Sequence, residues 1–188
     1  MNIVTIPHPA LRSQAGAITV VDSQLLRFIT ELGKTLKKKN NPRGVGLAAP
    51  QVARNLAIFT TLLEDEKGNE QQRFFINPKI VDASDKLVLG PSRDDTSLEG
   101  CLSIPGIYGP VPRYSWTTFS FDLLKENELV PQQETFTDFD SRVMQHELDH
   151  LHGILFTDHI LQHGLPVYRE HPKSKKLEEI SSEALELI

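Results

Sequence analysis

The sequence predicts a mixed fold in which several β-strands stand between an early and a late helix and pack with them. Apolar residues recur at helical spacing after Asp22 and again before Gly153, which indicates two amphipathic helices. Between these helices, short apolar or alternating runs are typical of strands. The 188 residues suit one domain with one sizeable core.

The early helix has a clear start signal in Asp22, whose carboxylate can accept hydrogen bonds from the free N–H groups of the first turn. The residues that follow form a single apolar stripe at the spacing of a helix that packs one face on a core. The stripe consists of Leu25, Phe28, Ile29, Leu32 and Leu36.

Three segments in the middle of the chain are predicted strands. Residues 44–51 read GVGLAAPQ and lead into an apolar run through Ile58 and Phe59 that suits a buried strand. Residues 73–76 and 114–124 are also expected to be strands, and the second alternates in the manner of a half-buried strand.

The late helix is expected to begin at a cap formed by Asp138 or Asp140 and to run to about His152. Gly153 is well placed to follow it as the residue that adopts the left-handed conformation. Beyond Leu161 the chain turns polar, and residues 162–188 are predicted to be a charged, weakly amphipathic tail.

Composition excludes several classes of function. Apolar residues make up 39% and charged residues 24%, as in ordinary globular proteins. A net charge of −5 provides no broad basic surface for nucleic acid. The apolar runs are too short to cross a bilayer and the N-terminus does not read as a secretory signal, so a cytosolic protein is expected. With one cysteine the chain forms no internal disulfide, which leaves packing, nucleophilic or metal-binding roles for that thiol.

The strongest motif is His-Glu-x-x-His at residues 146–150, inside the predicted late helix. His146 and His150 are four residues apart and share one helix face, so both imidazoles can reach one ion. Glu147 then lies close enough to exchange a proton with a water molecule at that ion. The alternative is an ordinary helix with two surface histidines.

A catalytic site of this type requires a third protein ligand. One zinc-protease pattern places a histidine six residues after the motif, but that position is Phe156. Another takes a glutamate about twenty residues on, which points to Glu170, although Pro172 disfavours a helix there. Cys101 lies in the polar segment Glu-Gly-Cys-Leu-Ser and is the preferred third ligand, with an incidental packing role as the alternative.

Three segments together resemble the peptide deformylase family, hydrolases that remove the formyl group from the N-terminal methionine of new proteins. They are residues 44–51, GVGLAAPQ; residues 99–103, EGCLS; and residues 145–153, QHELDHLHG. The resemblance spans roughly residues 3–160. It implies an α+β fold of antiparallel sheets packed around the helix that carries the HExxH motif, with a catalytic domain at residues 1–161 and the tail outside it.

The resemblance also implies a role for residues of each motif. The catalytic groups comprise an acid/base carboxylate, and a side-chain amide that acts with a backbone N–H to stabilise the oxyanion of the formyl carbonyl. The implied metal ligands are Cys101, His146 and His150; the catalytic residues are Glu147, Gln51 and Leu102; the substrate-binding residues are Val45, Gly46 and Gly100.

The family implies one divalent ion, iron(II), with zinc, nickel or cobalt as possible occupants, since the ligand set alone does not select among them. The implied substrates are N-formyl-methionyl peptides and nascent chains at the ribosome. We expect a cytoplasmic monomer without direct contacts to nucleic acid or membrane.

Two positions depart from the family pattern. The stretch from Asn77 to Glu99 is longer than usual and includes a polar loop within residues 84–98 that could shape the substrate entrance. Tyr108 occupies a position where many members have an arginine near the bound peptide. The competing functions are a zinc metalloprotease with another third ligand and a deformylase-like domain that binds without turnover.

Overall fold

A computed structural model describes residues 1–40, 43–65, 67–90 and 97–185 of the chain. Residues 91–96, part of the polar loop that the sequence places within residues 84–98, lie outside the described residues. Within the described part every strand pairing is antiparallel, and the helices pack against the sheets, so the predicted α+β fold is confirmed.

Helix α1, Ser23–Lys37, begins where the sequence predicts. Asp22 is the N-cap residue, and its Oδ1 accepts hydrogen bonds from the backbone N–H groups of Gln24 (2.9 Å) and Leu25 (2.8 Å). The predicted stripe faces the interior, with Leu32 and Leu36 fully buried. Burial of this stripe holds α1 on the first sheet.

The larger sheet has five strands. They are β1 (Gly46–Ala48), β2 (Ile58–Glu64), β3 (Glu70–Ala83), β8 (Trp116–Lys125) and β9 (Glu128–Thr137), in the spatial order β1-β2-β3-β8-β9. Strand β1 is short and, among the described residues, pairs with β2 alone, so its outer side can pair with an extended chain.

Phenylalanine side chains fill the inner face of this sheet. Phe75 lies at their centre, with its ring centroid 5.1 Å from that of Phe59, 4.8 Å from that of Phe121 and 5.8 Å from that of Phe136. The contacts of Phe75 with Phe121 and Phe136 are edge-to-face, an arrangement that combines large apolar burial with favourable quadrupole contacts. These rings form the apolar surface against which the late helix packs.

The remaining strands are β4 (Leu87–Val88), β5 (Leu98–Cys101), β6 (Ile104–Pro110), β7 (Arg113–Tyr114), β10 (Val167–Glu170) and β11 (Leu177–Ile180). Four of them form a second sheet in the order β11-β10-β6-β5, and β4 pairs with β7 in a third. Two of these strands come from residues 162–188, which the sequence predicts as a polar tail, and Val167 is buried. The domain boundary at residue 161 stays a prediction.

Helix α2, Asp138–Leu151, lies between the two larger sheets and is buried along most of its length, whereas the short helix α3, Phe156–His163, packs beside it on the second sheet. The expected cap was wrong: the N-cap residue is Thr137, and its side chain makes no capping hydrogen bond. Gly153 follows the helix with φ of 71°, as predicted. Burial of α2 removes its motif from bulk water.

Among the described residues, no helix combines the length and the apolar composition that crossing a bilayer requires. The longest of them, α1, has 15 residues.

Replacing Asp22 with alanine should lower the free energy of unfolding by about 1 kcal/mol, because two N–H groups of the first turn lose their acceptor. Asp22→Asn retains that acceptor and is the matched control. Urea unfolding followed by circular dichroism measures both. Equal stability of the two variants would contradict the capping role.

Candidate metal centre

Three side chains from two elements converge on one point between the sheets. Cys101 is the last residue of β5, and His146 and His150 lie one turn apart on α2. Their ligand atoms all lie within 4.8 Å of one another, and the Cys101 Sγ is 3.2 Å from the His150 Nε2. The structure thus brings together the three residues that the sequence predicts as ligands.

A bulge directs Cys101 towards the helix. Gly100 pairs with Tyr108 in the β5–β6 ladder, but Cys101 pairs with Ile104, so the register shifts between Gly100 and Cys101. Such shifts change the direction of a side chain next to a site. Gly100 is required by the packing, since a Cβ there would lie 2.6 Å from the Tyr108 ring.

The chemistry of the donors fits a divalent transition metal. Burial opposes ionisation of Cys101, but His150 and His146 outweigh it and hold the pKa of the thiol well below its usual value. A thiolate with two imidazoles is a donor set that binds zinc, iron, nickel or cobalt, and three protein ligands leave one position open for a reactant.

Glu147 provides a buried carboxylate beside these ligands. Burial raises its pKa to about 7, which suits a group that both takes and returns a proton near neutral pH. Its Oε2 has no hydrogen-bond partner among the described residues. Gly46 of β1 packs directly on this side chain, where any Cβ would overlap the carboxylate.

Gln51 is fixed in one orientation in the short 3₁₀ turn after β1. Its Oε1 accepts a hydrogen bond from the Ala48 N–H (2.8 Å). Its Nε2 therefore points towards the centre, 3.4 Å from the Cys101 Sγ and 3.3 Å from the Ser103 Oγ. Ser103, which the sequence did not single out, also donates its backbone N–H to the Cys101 Sγ at 3.4 Å.

A buried network of charges supports the ligands from behind. Glu99 Oε2 lies 3.1 Å from the His146 Nδ1. Arg113 binds Glu99 through two nitrogens, at 3.0 and 2.9 Å, and reaches Asp149 at 2.5 Å. His159 of α3 extends the network to Asp149 at 2.9 Å. None of these four residues was predicted as part of the site, although Glu99 and Asp149 lie inside the quoted motifs.

Arg142 ties the segment before the polar loop to α2. It lies one turn before His146, is buried, and donates hydrogen bonds to the backbone carbonyls of Val88 (3.3 Å), Leu89 (2.8 Å) and Val111 (2.8 Å). The segment is thereby fixed at the edge of the centre.

The centre lies in a cleft of about 1110 Å³. One wall comes from residues 44–46 and another from β5 and β6, so all three predicted substrate-binding residues line it. Leu102, predicted to donate its backbone N–H, lines it as well. The volume exceeds what a single amino-acid side chain occupies, so an extended ligand fits.

Comparison with known proteins agrees with this geometry. The sequence profile of the polypeptide deformylases matches residues 1–164. The chain belongs to this family. Peptide deformylase 2 of Vibrio cholerae is 37% identical over 179 residues, covering 93% of this chain and 97% of that protein. Peptide deformylase 1 of Vibrio vulnificus is 38% identical over 160 residues, covering 85% and 86%.

Solved structures of the family share the fold. Peptide deformylase 1B of Arabidopsis thaliana, in complex with an inhibitor, has a TM-score of 0.72 at 33% identity and covers 85% of this chain and 81% of that one. A probable peptide deformylase from Synechococcus phage S-SSM7 has a TM-score of 0.71 at 29% identity, covering 84% and 98%. The family is metal-dependent, and Cys101, His146 and His150 form a possible metal site in this member.

Replacing Arg113 with methionine should lower the free energy of unfolding by about 3–5 kcal/mol, because two buried carboxylates lose their counter-charge. Arg12→Met is the matched control, since its ion pair with Asp158 is exposed and worth about 0–1 kcal/mol. Denaturant unfolding measures both. A loss at Arg113 no larger than that at Arg12 would show that the network does not support the centre.

Proposed function

We propose that this chain hydrolyses the N-formyl group of formyl-methionyl peptides and newly made proteins, releasing formate and a free amino terminus. The observation that carries the proposal is the cluster of Cys101, His146 and His150 with Glu147 buried beside it, in a member of the polypeptide deformylase family.

Cys101, His146 and His150 would hold one divalent ion. Iron(II) is the native ion that we propose, and zinc, nickel and cobalt suit the same donors. When bound, the ion supplies Lewis-acid activation of a water molecule and of the formyl carbonyl. Glu99 would orient His146 through its Nδ1, so that the Nε2 is the nitrogen left for the ion.

Glu147 acts as the acid/base of the reaction. Its carboxylate accepts the proton of the attacking water and returns it to the nitrogen that leaves as the amine. The raised pKa matches both halves of this task, because the group is neither too weak a base nor too weak an acid near neutral pH.

Gln51 and the backbone N–H of Leu102 stabilise the negative charge that develops on the formyl oxygen. The hydrogen bond from Ala48 fixes the amide of Gln51, so its NH₂ group already faces the reacting centre and needs no reorganisation. The Ser103 hydroxyl, 3.3 Å from that NH₂ group, helps to hold it there.

The backbone of Val45, Gly46 and Gly100 binds the substrate chain. Gly46 begins β1, an edge strand of the five-stranded sheet, and Val45 directly precedes it, so an extended peptide can add there as a further strand. Recognition through the main chain tolerates different side chains, which suits an enzyme that acts on many different proteins. We infer that the substrates are nascent chains at the ribosome and that the enzyme acts in the cytoplasm as a monomer, with residues 1–161 as its catalytic domain.

A formate-release assay tests the proposal. Protein prepared anaerobically with iron(II) should release formate from formyl-Met-Ala-Ser and leave acetyl-Met-Ala-Ser and the peptide bonds intact. Cleavage of peptide bonds would instead support a zinc protease, and stoichiometric metal without any turnover would support a binding domain.

Glu147→Gln should retain about one metal ion per chain and lose activity by about 10²–10⁴-fold, because the proton acceptor is gone while the ligands remain. Cys101→Ser should lose the metal itself. Glu31→Gln on the exposed face of α1 is the control and should change neither quantity. Metal analysis with the same formate assay separates the roles, and full activity of Glu147→Gln would rule out the acid/base assignment.

Gly46→Ala should lower kcat at least tenfold, because its methyl group displaces the Glu147 carboxylate from its position. Gly16→Ala is the control, since a Cβ there makes only an ordinary contact, 3.5 Å from the Asn55 carbonyl oxygen. Steady-state kinetics measures kcat for both variants. An unchanged kcat in Gly46→Ala would mean that Glu147 can shift its position without loss of activity.

A further inference from the structure

The C-terminal hairpin, β10 and β11 with the turn between them, forms part of the wall of the cleft. Tyr168 and Arg169 of β10 pair with Tyr108 and Ile107 of β6. Arg169, Glu170, Pro172 and Lys175 all line the cleft. The hairpin lies beyond the segment matched by the family profile, which ends at residue 164.

Positive charge predominates in this cleft. Its lining among the described residues includes Lys39, Arg43, Arg142, Arg169 and Lys175 but only three carboxylates. Glu99 is neutralised by the buried network, Glu147 lies at the reacting centre, and Glu170 is paired with Lys175 at 2.6 Å. Arg43 is likewise paired with Glu70, so Lys39, Arg142 and Arg169 are the lining cations that form no ion pair within the described part of the chain.

Arg169 is the cation of the hairpin that is available to a ligand. It is exposed, and within the described part of the chain its guanidinium forms no ion pair. Glu178 is its cross-strand neighbour on β11, but it does not line the cleft and lies outside ion-pair distance. A second cavity of about 280 Å³ also includes Arg169 and shares most of its lining with the cleft, so there is room for a ligand next to this side chain.

The sheet sets the separation between the backbone of the strand that carries Arg169 and that of the strand that carries Cys101. Gly100, Tyr108 and Tyr168 are register partners on three adjacent strands, which are about 4.8 Å apart, so β10 lies about 10 Å from β5. An extended peptide advances about 3.3 Å per residue. A peptide that leads from Cys101 across the cleft towards β10 would cover this backbone separation with about three residues, so its third or fourth residue is the first that could reach Arg169.

We propose that the hairpin is a specificity-determining element, in which Arg169 binds an acidic side chain at the third or fourth residue of the formylated substrate. The proposal rests on the proposed function, because it assigns a subsite to the same cleft. An acidic peptide is favoured over nucleic acid as the occupant, because the protein as a whole carries a net charge of −5 and the cations lie inside a cleft that ends at the reacting centre.

Peptides of the type formyl-Met-Ala-Ala-Xaa-Ala test the proposal, with glutamate, glutamine or lysine moved through positions two to five. For the wild-type enzyme, kcat/KM should be about threefold to fivefold higher with glutamate than with the isosteric glutamine at position three or four, and lowest with lysine. The difference should shrink with added salt, since the charges remain partly solvated.

Variants of the hairpin identify the cation. Arg169→Gln should abolish the preference and Arg169→Glu should reverse it in favour of lysine. Lys173→Glu makes the same change of net charge on the same hairpin but does not line the cleft, so it should retain the wild-type preference. A preference that persists in Arg169→Glu, or that Lys173→Glu removes equally, overturns the proposal.

If the proposed function is wrong, no peptide releases formate. The preference for glutamate is then measured as the affinity of the same peptides, fluorescently labelled, for the metal-loaded protein. Equal affinity for glutamate and lysine peptides overturns the subsite. The subsite is also overturned if Arg169→Glu weakens the binding of an oligonucleotide but leaves the binding of peptides unchanged. Tighter binding of the glutamate peptide, lost in Arg169→Gln, supports it.

Discussion

The ion pairs of Arg113 are the interaction on which the geometry of the centre depends. One guanidinium binds Glu99, two residues before the thiol on β5, and Asp149, which lies between the two histidines on α2. It thus sets the position of the strand that carries one ligand relative to the helix that carries the other two. Buried ion networks often add little net stability compared with apolar packing. The Arg113 network instead fixes the relative positions of metal ligands that come from distant parts of the chain.

The parts of the site that lie on one local element could be predicted from the sequence. His146, Glu147 and His150 occupy consecutive turns of a helix, so their spacing alone indicates a shared face. Gly153 follows that helix with positive φ, as predicted, because a glycine adopts this conformation without steric cost. Cys101 required a further step, since it is 45 residues away from the helix motif and nothing in its own segment fixes its direction.

The parts that could not be predicted depend on contacts between distant segments. Arg113 and His159 have no local pattern that distinguishes them from surface charges, and only the fold brings them to Asp149. Strand β9 was missed because its outward positions are polar and a proline within a run argues against a strand, yet Pro131 pairs with Asp122 in an unbroken ladder. Glu126 and Asn127 both have positive φ in the tight turn before it. The C-terminal strands were missed for the same reason: half of their residues are charged, and Val167 is their one fully buried apolar residue among those described.

The hairpin at the end of the chain joins β6 about sixty residues after that strand has passed. Such a contact closes a long loop, so the chain entropy lost on closure offsets part of what the pairing contributes. The hairpin also buries few apolar side chains compared with the phenylalanine rings of the larger sheet, so it should open locally at a lower free energy than the rest of the domain. One wall of the cleft can therefore fluctuate, and exchange its amide hydrogens, while the ligands on β5 and α2 stay in place.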